Sequence, residues 1–416
     1  MKKGFLSEYF RSVASKRLSN VEVNPKSSRQ HEFNGVTGLK KILGTTRKKI
    51  NATLCYFSDD MEEGVREEDC LTWYDSRKKP RSEYRLYFQK TEFRRKATAN
   101  DLFVMAIKND GSAFIIIAKQ GSTAEQQLMW LFNLPEHSKK SFTIREESEN
   151  DSIKTGIFSQ HLLEQLGIVL PSTEESCLEE MLCRFNGKFP STLDFSAFAR
   201  EKVGDFDAYD NRADDVLSTW MQKEEALFRT LERHLVGKRI DEGFSGDTRV
   251  DKFISFSLSV QNRRKSRAGN ALENHLSFLF ERLNIKFSRT PQTEGHSKPD
   301  FLFPGIEAYR NPSFPARNLT MLGVKTTCKD RWRQILAEAD RIEEKHLFTL
   351  QSGISQNQTD EMGAHKVQLV IPKQIHGSFS LAQQRKLMSL DEFIGLVRER
   401  QNDCPLSATR VPAIHY

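Results

Sequence analysis

The hydrophobic pattern of the chain changes near its middle, and this change limits the fold more than any other feature. In the first half the apolar residues come in short runs broken by polar turns, a pattern typical of β-strands. Asn109-Asp110-Gly111 between two of these runs is a strong hairpin signal. We therefore predict a mostly β domain with a polar surface loop over 136–154. Its expected strands are 54–57, 84–88, 102–107 and 113–118.

In the second half the apolar residues are spaced by three, four and seven, which is the period of amphipathic helices. Helices are predicted at 217–235, at 268–283 and from about Trp332 to Lys345. Short apolar strands are expected at 301–303, 319–324, 346–350 and 367–371. Strands that alternate with helix in this way predict an α/β core.

A length of 416 residues favours two or three domains. The acidic, turn-rich segment Pro171-Ser172-Thr173-Glu174-Glu175-Ser176 separates the two patterns. We expect an N-terminal domain at 1–170, a linker at 171–184 and a C-terminal domain at 185–416.

The composition argues against a membrane protein and against a zinc or disulfide protein. Hydrophobic residues make up 38% of the chain and charged residues 29%, and no apolar run approaches the length of a membrane span. No apolar segment follows Met1-Lys2-Lys3, so we expect a cytoplasmic protein without a secretory signal. The six cysteines include no CxxC pair and are expected to be free thiols.

The positive charge is concentrated near the N-terminus. Residues 1–100 carry 22 Lys and Arg against 13 Asp and Glu, whereas the whole chain has a net charge of +7. Such an excess is typical of proteins that bind the phosphates of nucleic acids. A solvated basic surface without a partner is the alternative.

Two residues in the second half have the order expected of a nuclease centre. Hydrolysis of a phosphodiester needs a hard cation held by carboxylates and a positive group beside the reacting phosphate. Asp300 opens the predicted strand 301–303, and Lys325 ends the next predicted strand. This order resembles the PD-(D/E)xK nuclease core. Taken singly, Asp300 could be part of a turn and Lys325 a surface lysine.

The second acid of that core is displaced. Gly323 stands two residues before Lys325, where the acid is expected. Glu338 shares a helical stripe with Ile335, Ala339 and Ile342, on the face that should pack against the sheet. A buried carboxylate there is costly unless it is paired or binds a metal. Glu338 is therefore the candidate second acid, although a salt bridge to Arg341 or Lys345 would also explain it.

Glu273 lies on the predicted helix that precedes Asp300. In this core a helix acid supports the metal site through water. An exposed glutamate without a role is the alternative.

Three blocks make the resemblance specific. They are Val324 to Leu336, Asn262 to Gly269 and Lys298 to Pro304, and they resemble the signature of EcoRII-type restriction endonucleases. The similarity covers most of 185–380. It implies a homodimeric type II endonuclease that cuts double-stranded DNA with Mg²⁺. Asp300 and Glu338 would bind the metal, and Lys325, Glu273 and Tyr309 would complete the catalytic set.

The resemblance also implies roles in base recognition. In this family a basic-acidic-basic trio after the catalytic lysine reads G·C pairs of CCWGG- or CCNGG-like sites, and here the trio is Lys329, Asp330 and Arg331. Lysine and arginine donate to guanine, and a carboxylate accepts from cytosine. A charge cluster in a first helical turn is the alternative. For Tyr309, a packed loop aromatic is the alternative.

The N-terminal half resembles the EcoRII effector domain, a DNA-binding pseudobarrel. The resemblance implies that a second DNA copy is bound by a set of mostly basic residues: Lys16, His31, Lys79, Arg81, Glu83 and Arg85. Alternation places Arg81, Glu83 and Arg85 on one strand face. An Arg/Glu ladder that stabilises the sheet is the alternative, and Tyr84 departs from the basic residue of the family pattern.

Two other functions fit the same residues. One is a non-cleaving DNA-binding regulator with a degenerate nuclease core. The other is a repair nuclease without sequence preference. The intact Asp300, Lys325 and Glu338 argue against the regulator, and the trio argues against the unspecific nuclease.

Overall fold

The computed structural model describes residues 9–23, 32–33, 36–61, 64–77, 82–89, 95–134, 142–146, 157–168, 174–204 and 212–403. The chain forms two compact units. The first consists of Met1–Pro171 with the later segments Ser352–Thr359 and Gly377–Ser380. The second consists of Ser172–Gln351, Asp360–His376 and Leu381–Tyr416. That two short C-terminal segments join the first unit was not predicted from the sequence.

The first unit is built on a mixed sheet of eight strands in the order β2-β5-β4-β3-β7-β6-β1-β8. Neighbouring strands are antiparallel except β3 and β7, which run parallel. The strands are β1 Phe10–Arg17, β2 Glu32–Phe33, β3 Lys48–Phe57, β4 Val65–Asp75, β5 Tyr84–Tyr87, β6 Leu102–Lys108, β7 Ala113–Ala118 and β8 Thr143–Glu146. Its helices are α1 Asn20–Val23, α2 Lys40–Leu43, α3 Thr123–Leu131 and α4 Gln160–Gln165.

The centre of this sheet is buried on both faces. Ile115 and Ile117 of β7 pack into one apolar cluster, and Phe114 and Ile116 pack into another. This explains the unbroken apolar runs, since strands covered on both sides do not alternate in polarity. The predicted hairpin between β6 and β7 is confirmed, with Gly111 at φ +86° in its turn.

The prediction of a surface loop over 136–154 is wrong in part. Residues Thr143–Glu146 form strand β8, which pairs antiparallel with β1 from Ser15↔Thr143 to Ser12↔Glu146. β8 lies at the edge of the sheet. Edge strands carry polar and charged residues, so the apolar pattern that marks inner strands is missing here.

Four helices begin the second unit: α5 Leu178–Arg184, α6 Thr192–Val203, α7 Ala213–Asp241 and α8 Arg249–Arg282. The linker expected over 171–184 is helical from Glu175 onwards. Met181 of α5 is fully buried in a cluster with Phe198 of α6 and Leu227 of α7. The helix 178–184 is therefore anchored to the core through Met181 and is not a free connection.

The second unit also contains a five-stranded sheet in the order β13-β12-β11-β10-β9. β13, β12 and β11 are parallel, whereas β10 is antiparallel to both β11 and β9. Its strands are β9 Ser288–Arg289, β10 Phe301–Phe303, β11 Thr320–Val324, β12 Lys345–Phe348 and β13 Val367–Val370. The remaining helices are α9 Ile306–Arg310, α10 Gln356–Ala364, α11 Leu381–Gln384 and α12 Leu390–Asn402.

The prediction of a helix from Trp332 to Lys345 is wrong. A 3-10 helix spans Lys329–Ala337, and Glu338 after it is extended, with φ −97° and ψ 138°. Ala339 then has φ +54°, a left-handed conformation that a helix cannot contain.

Other 3-10 helices are Val36–Leu39, Glu175–Cys177, Glu294–His296, Ala316–Asn318 and Lys373–Ser378. In the described part of the chain, no helix has both the length and the apolar character to cross a membrane.

Candidate active site

Asp300 and Lys325 meet where the antiparallel strands β10 and β11 lie side by side. Phe301 pairs with Leu322, so Asp300 just before β10 lies next to the end of β11. Its Oδ2 atom accepts hydrogen bonds from the backbone N–H of Val324 at 2.6 Å and from Lys325 Nζ at 3.0 Å. The side chains are only 15% and 13% exposed. The predicted acid and lysine therefore form a largely buried ion pair.

Lys325 is fixed through its backbone as well as its side chain. Its N–H donates to the carbonyl of Phe348, the last residue of β12. The loop beyond Lys325 is tied to the same strand end, because Gln351 Oε1 accepts from the N–H of Cys328 at 2.6 Å. The lysine therefore projects from a backbone that is held on both sides, by Asp300 and by the end of β12.

Glu338 joins this pair although the predicted helix does not exist. The apolar members of its stripe, Ile335, Ala339 and Ile342, are buried as expected. Its Oε2 atom is buried and has no hydrogen-bond partner among the described residues. Burial raises the pKa of Glu338 to about 7, and the negative charge of Asp300 raises it too, while Lys325 and Lys345 oppose the shift.

Gly323 stands at the position where the nuclease pattern has its second acid. A Cβ atom built on Gly323 would lie 2.7 Å from Cγ2 of Ile335. A side chain at this position would force Ile335 to shift, because real Cβ atoms do not approach another carbon so closely. Ile335 belongs to the same 3-10 helix that leads to Glu338.

Glu273 on α8 faces the same region. Burial is the main reason why its pKa is raised, and the charge of Asp300 contributes, whereas Arg289 and Lys325 lower it. Arg289 NH2 lies 3.2 Å from Glu273 Oε2. Glu273 is thus a half-buried acid with a cationic partner. The contact with Arg289 was not predicted from the sequence.

Tyr309 does not bond to Asp300 or Lys325. Its hydroxyl donates to Glu294, with oxygen distances of 2.6 and 2.8 Å, and accepts from the N–H of Arg341 at 3.2 Å. Burial and the contact with Glu294 raise the pKa of Tyr309. These contacts favour the alternative reading of a packed aromatic residue, one that supports the segment after Glu338. Glu294 was not predicted from the sequence.

The predicted recognition trio lies in the first turn of the 3-10 helix Lys329–Ala337. Arg331 is exposed, and its N–H donates to the carbonyl of Cys328 at 2.8 Å. The side chains of Lys329 and Asp330 lie outside the described residues. Arg331 is available for a contact with a partner molecule.

Asp300 and Glu338 are the carboxylates that could hold a divalent cation. Among the residues that the structure describes, no three His, Cys, Asp or Glu side chains form a metal-binding group. Two carboxylates can suffice for Mg²⁺, which keeps several of its water ligands when it binds. The unpartnered Oε2 of Glu338 and the neighbouring charge of Asp300 fit a cation between them, because the cation would offset their repulsion.

The first unit contradicts the prediction that Lys16 contacts DNA. Its side chain is 0% exposed and forms an ion pair with Glu22. Its ammonium also lies 4.9 Å from the centre of the Phe142 ring. A lysine so enclosed stabilises the domain and cannot reach a phosphate or a base.

Glu83 and Arg85 are engaged in intramolecular pairs. Arg85 bonds to Glu83 and lies 3.2 Å from Glu32 on the neighbouring strand β2, and Glu83 lies 2.6 Å from Arg77. This arrangement matches the alternative of a ladder that stabilises the sheet. His31, Lys79 and Arg81 lie outside the described residues.

Comparison with known proteins shows which proteins the second unit resembles. Residues 228–394 match the family model described as "EcoRII C terminal". The matched residues include Asp300, Lys325 and Glu338. A similar protein is the type II restriction enzyme EcoRII of Escherichia coli, 46% identical over 193 residues. The alignment covers 46% of this chain and 47% of the relative, so less than half of the relative is represented.

Two solved structures show weaker similarity. Metal-depleted Ecl18kI in complex with uncleaved, modified DNA has a TM-score of 0.46 at 16% identity, covering 58% of this chain and 86% of that one. The PspGI restriction endonuclease in complex with substrate DNA has a TM-score of 0.42 at 14% identity, covering 51% and 94%.

Proposed function

We propose that this chain is a type II restriction endonuclease that hydrolyses double-stranded DNA as part of a restriction-modification system. The observation that carries the proposal is the buried Asp300–Lys325 pair with Glu338 beside it, inside the residues that match the EcoRII C-terminal family. The region 185–416 would be the catalytic domain.

The proposed cofactor is Mg²⁺, held by Asp300 and Glu338. When bound, it would supply a Lewis acid for the scissile phosphate and lower the pKa of a water molecule. The two carboxylates fit because one oxygen of Glu338 has no partner among the described residues. Glu273 would support the site through a water molecule, and its ion pair with Arg289 would partly neutralise its charge.

Lys325 would act on the phosphate or on the attacking water. Its ammonium is 3.0 Å from Asp300, and its backbone is bound to β12, so its charge is fixed before DNA arrives. A preorganised cation stabilises the negative charge that develops in the transition state without rearranging first. Tyr309 and Glu294 would keep the segment after Glu338 in place.

Sequence recognition is assigned to Lys329, Asp330 and Arg331 at a CCWGG- or CCNGG-like site. The exposed side chain of Arg331 supports this assignment. A symmetric site calls for two catalytic centres related by a two-fold axis, so we propose a homodimer.

The region 1–170 would be an effector domain that binds a further DNA copy. The excess of basic residues in 1–100 supports this role. With Lys16 buried and Arg85 paired, the remaining candidates for its DNA contacts are His31, Lys79 and Arg81.

A plasmid digest tests the proposal. The purified chain, with Mg²⁺, is incubated with a plasmid that contains CCWGG and CCNGG sites and with a derivative that lacks them. Discrete fragments from the first plasmid alone support a restriction enzyme. A smear from both plasmids would indicate the unspecific nuclease, and DNA binding without any cleavage would indicate the regulator.

A further inference from the structure

Glu338 sits on an irregular segment that secondary structure does not stabilise. Residues 338–344 connect the 3-10 helix to β12, and Ala339 has φ +54°. Backbone groups in such a segment must find partners outside a regular ladder, because unpaired buried groups are costly. The orientation of Glu338 therefore depends on what binds this backbone.

Lys345 provides those partners for the carbonyl groups. Its Nζ donates to the carbonyl of Glu338 at 2.6 Å, to that of Ile342 at 2.9 Å and to that of Ala339 at 3.3 Å. An ammonium group has three donors, and all three are used here. One side chain thus donates hydrogen bonds to three carbonyl groups of the segment that carries Glu338.

The lysine is itself held firmly. It is the first residue of β12, its N–H donates to the carbonyl of Lys366 at 3.0 Å, and only 7% of the residue is exposed. Within the described ranges, no carboxylate oxygen lies within ion-pair distance of its Nζ. Burying an ammonium is costly. The three carbonyl groups and the nearby charges of Asp340, Glu338 and Glu294 offset that cost.

The N–H groups of the segment have other partners. Glu294 Oε2 accepts from the N–H of Asp340 at 3.4 Å, and the Tyr309 hydroxyl accepts from that of Arg341. The Ala339 carbonyl also accepts from the N–H of Ile342 at 2.9 Å. Lys345 is the side chain that links the carbonyl groups of Glu338, Ala339 and Ile342.

We propose that Lys345 is a positioning residue of the nuclease centre, which fixes the backbone of Glu338 so that its carboxylate faces Asp300 and can share a divalent cation with it. This inference rests on the proposed function, because it assumes that Glu338 binds the metal. Lys345 would act through the backbone of Glu338, because its three donors are used by carbonyl groups.

The test measures metal binding directly, without cleavage. Mn²⁺ is titrated into the metal-free full-length protein, and free Mn²⁺ is followed by electron paramagnetic resonance. Residues that orient metal ligands typically contribute about 10- to 100-fold to metal affinity. We expect Lys345→Met to weaken Mn²⁺ binding by about 10-fold or more. The half-saturating Mg²⁺ concentration for cleavage should rise by a similar factor.

Two controls make the result specific. Lys386→Met removes an exposed lysine of the same unit and should leave Mn²⁺ affinity unchanged. Glu338→Gln removes the ligand itself. If Glu338→Gln binds Mn²⁺ as the wild type does, the proposed metal site is wrong and the inference fails with it. If Glu338→Gln weakens binding while folded Lys345→Met does not, only the inference is overturned.

A second variant covers the case in which Lys345→Met does not fold. Lys345→Gln keeps two N–H donors for the carbonyl groups but removes the charge and the third donor. We expect it to fold and to bind Mn²⁺ with intermediate affinity. Wild-type affinity in folded Lys345→Gln would contradict the proposal.

Discussion

Ile335 packs its Cγ2 methyl over the backbone of Gly323 so closely that a Cβ atom on Gly323 would lie 2.7 Å away. The position two residues before Lys325 therefore cannot carry an acid while Ile335 holds its place. Glu338 follows Ile335 by three residues, and its buried carboxyl interacts electrostatically with Asp300 and Lys325. The same 3-10 helix therefore closes the position of Gly323 and leads to the candidate second acid.

Gly323→Ala should destabilise the protein by about 1–3 kcal/mol, the usual cost of overpacking a filled core. Ile335→Leu removes the branched methyl and nearly conserves the volume. In that background we expect Gly323→Ala to cost less, which a double-mutant cycle of urea unfolding would measure. Equal costs in both backgrounds would contradict the contact. Gly323→Glu should also fail to rescue Glu338→Ala in cleavage assays.

Asp300→Asn, Lys325→Met and Glu338→Gln should each lower the cleavage rate by several orders of magnitude while the protein stays folded. Each change withdraws metal binding or fixed charge from the transition state. Single-turnover cleavage of a short duplex measures the effect, and circular dichroism checks the fold. Glu343→Gln, which changes an exposed acid of the same segment, should cleave normally. Normal cleavage by Glu338→Gln would remove that residue from the site.

Arg331→Ala should reduce discrimination at one base pair by about 1–3 kcal/mol, as expected for the loss of a bidentate contact to guanine. Binding is measured in Ca²⁺, which should permit binding without cleavage. The panel consists of duplexes with single base-pair changes. A loss of affinity that is the same for every duplex would mean that Arg331 contacts the backbone.

Met181→Ala should lower the free energy of unfolding by about 2–5 kcal/mol, as truncation of a buried methionine usually does. The loss is expected because Met181 packs in a cluster with Phe198 and Leu227. A residue in a free linker would tolerate the same change. Leu193→Ala, at an exposed leucine of the neighbouring helix, is the matched control and should have little effect. If urea unfolding gave similar losses of unfolding free energy for Met181→Ala and Leu193→Ala, α5 would not contribute to the core.

We expect the stability of the protein to depend on pH through the carboxyl group of Asp214. Its buried carboxylate accepts from the N–H groups of Leu390 and Asp391, and Asp391 in turn accepts from the N–H of Ala213. Burial, and then the hydrogen bond with Asp391, raise the pKa of Asp214 from 3.8 to about 7. A raised folded-state pKa gives stability that is present below about pH 4 and is lost as the pH rises through 7.

Asp214→Asn should remove this contribution. The wild type should therefore be more stable relative to Asp214→Asn at pH 5 than at pH 8, as measured by thermal unfolding. A stability difference that stays constant between the two pH values would show that the carboxyl is ionised in the folded state at pH 5.

The sequence predicted those elements best in which side chains are buried on both faces. Strands 113–118 and 301–303 have the predicted bounds, because an unbroken apolar run leaves few alternatives. β8 was missed because an edge strand has no such run. Asp300 and Lys325 were predicted from strand ends and resemblance together, and their contact follows from the antiparallel pairing of β10 with β11.

Other features depend on contacts that no local pattern reveals. Ile335, Ala339 and Ile342 are all buried, yet the helix inferred from their spacing is absent, because Ala339 is left-handed. The sequence predicts which side chains are buried here, but not the backbone path that buries them. From the sequence, Lys16 was predicted to contact DNA and Lys345 was a possible salt-bridge partner of Glu338, and the burial of neither was predicted. Their burial depends on Glu22 and on three backbone carbonyl groups, respectively.

The 3-10 helix Lys329–Ala337 begins with the trio assigned to base reading and ends immediately before Glu338. A 3-10 helix turns by one third of a circle and rises about 2 Å with each residue. One inserted or deleted residue between Arg331 and Glu338 would therefore rotate the two ends by about 120° relative to each other. If the trio reads bases and Glu338 binds the metal, as proposed, a change in the length of this nine-residue segment would uncouple the reading of a site from its cleavage.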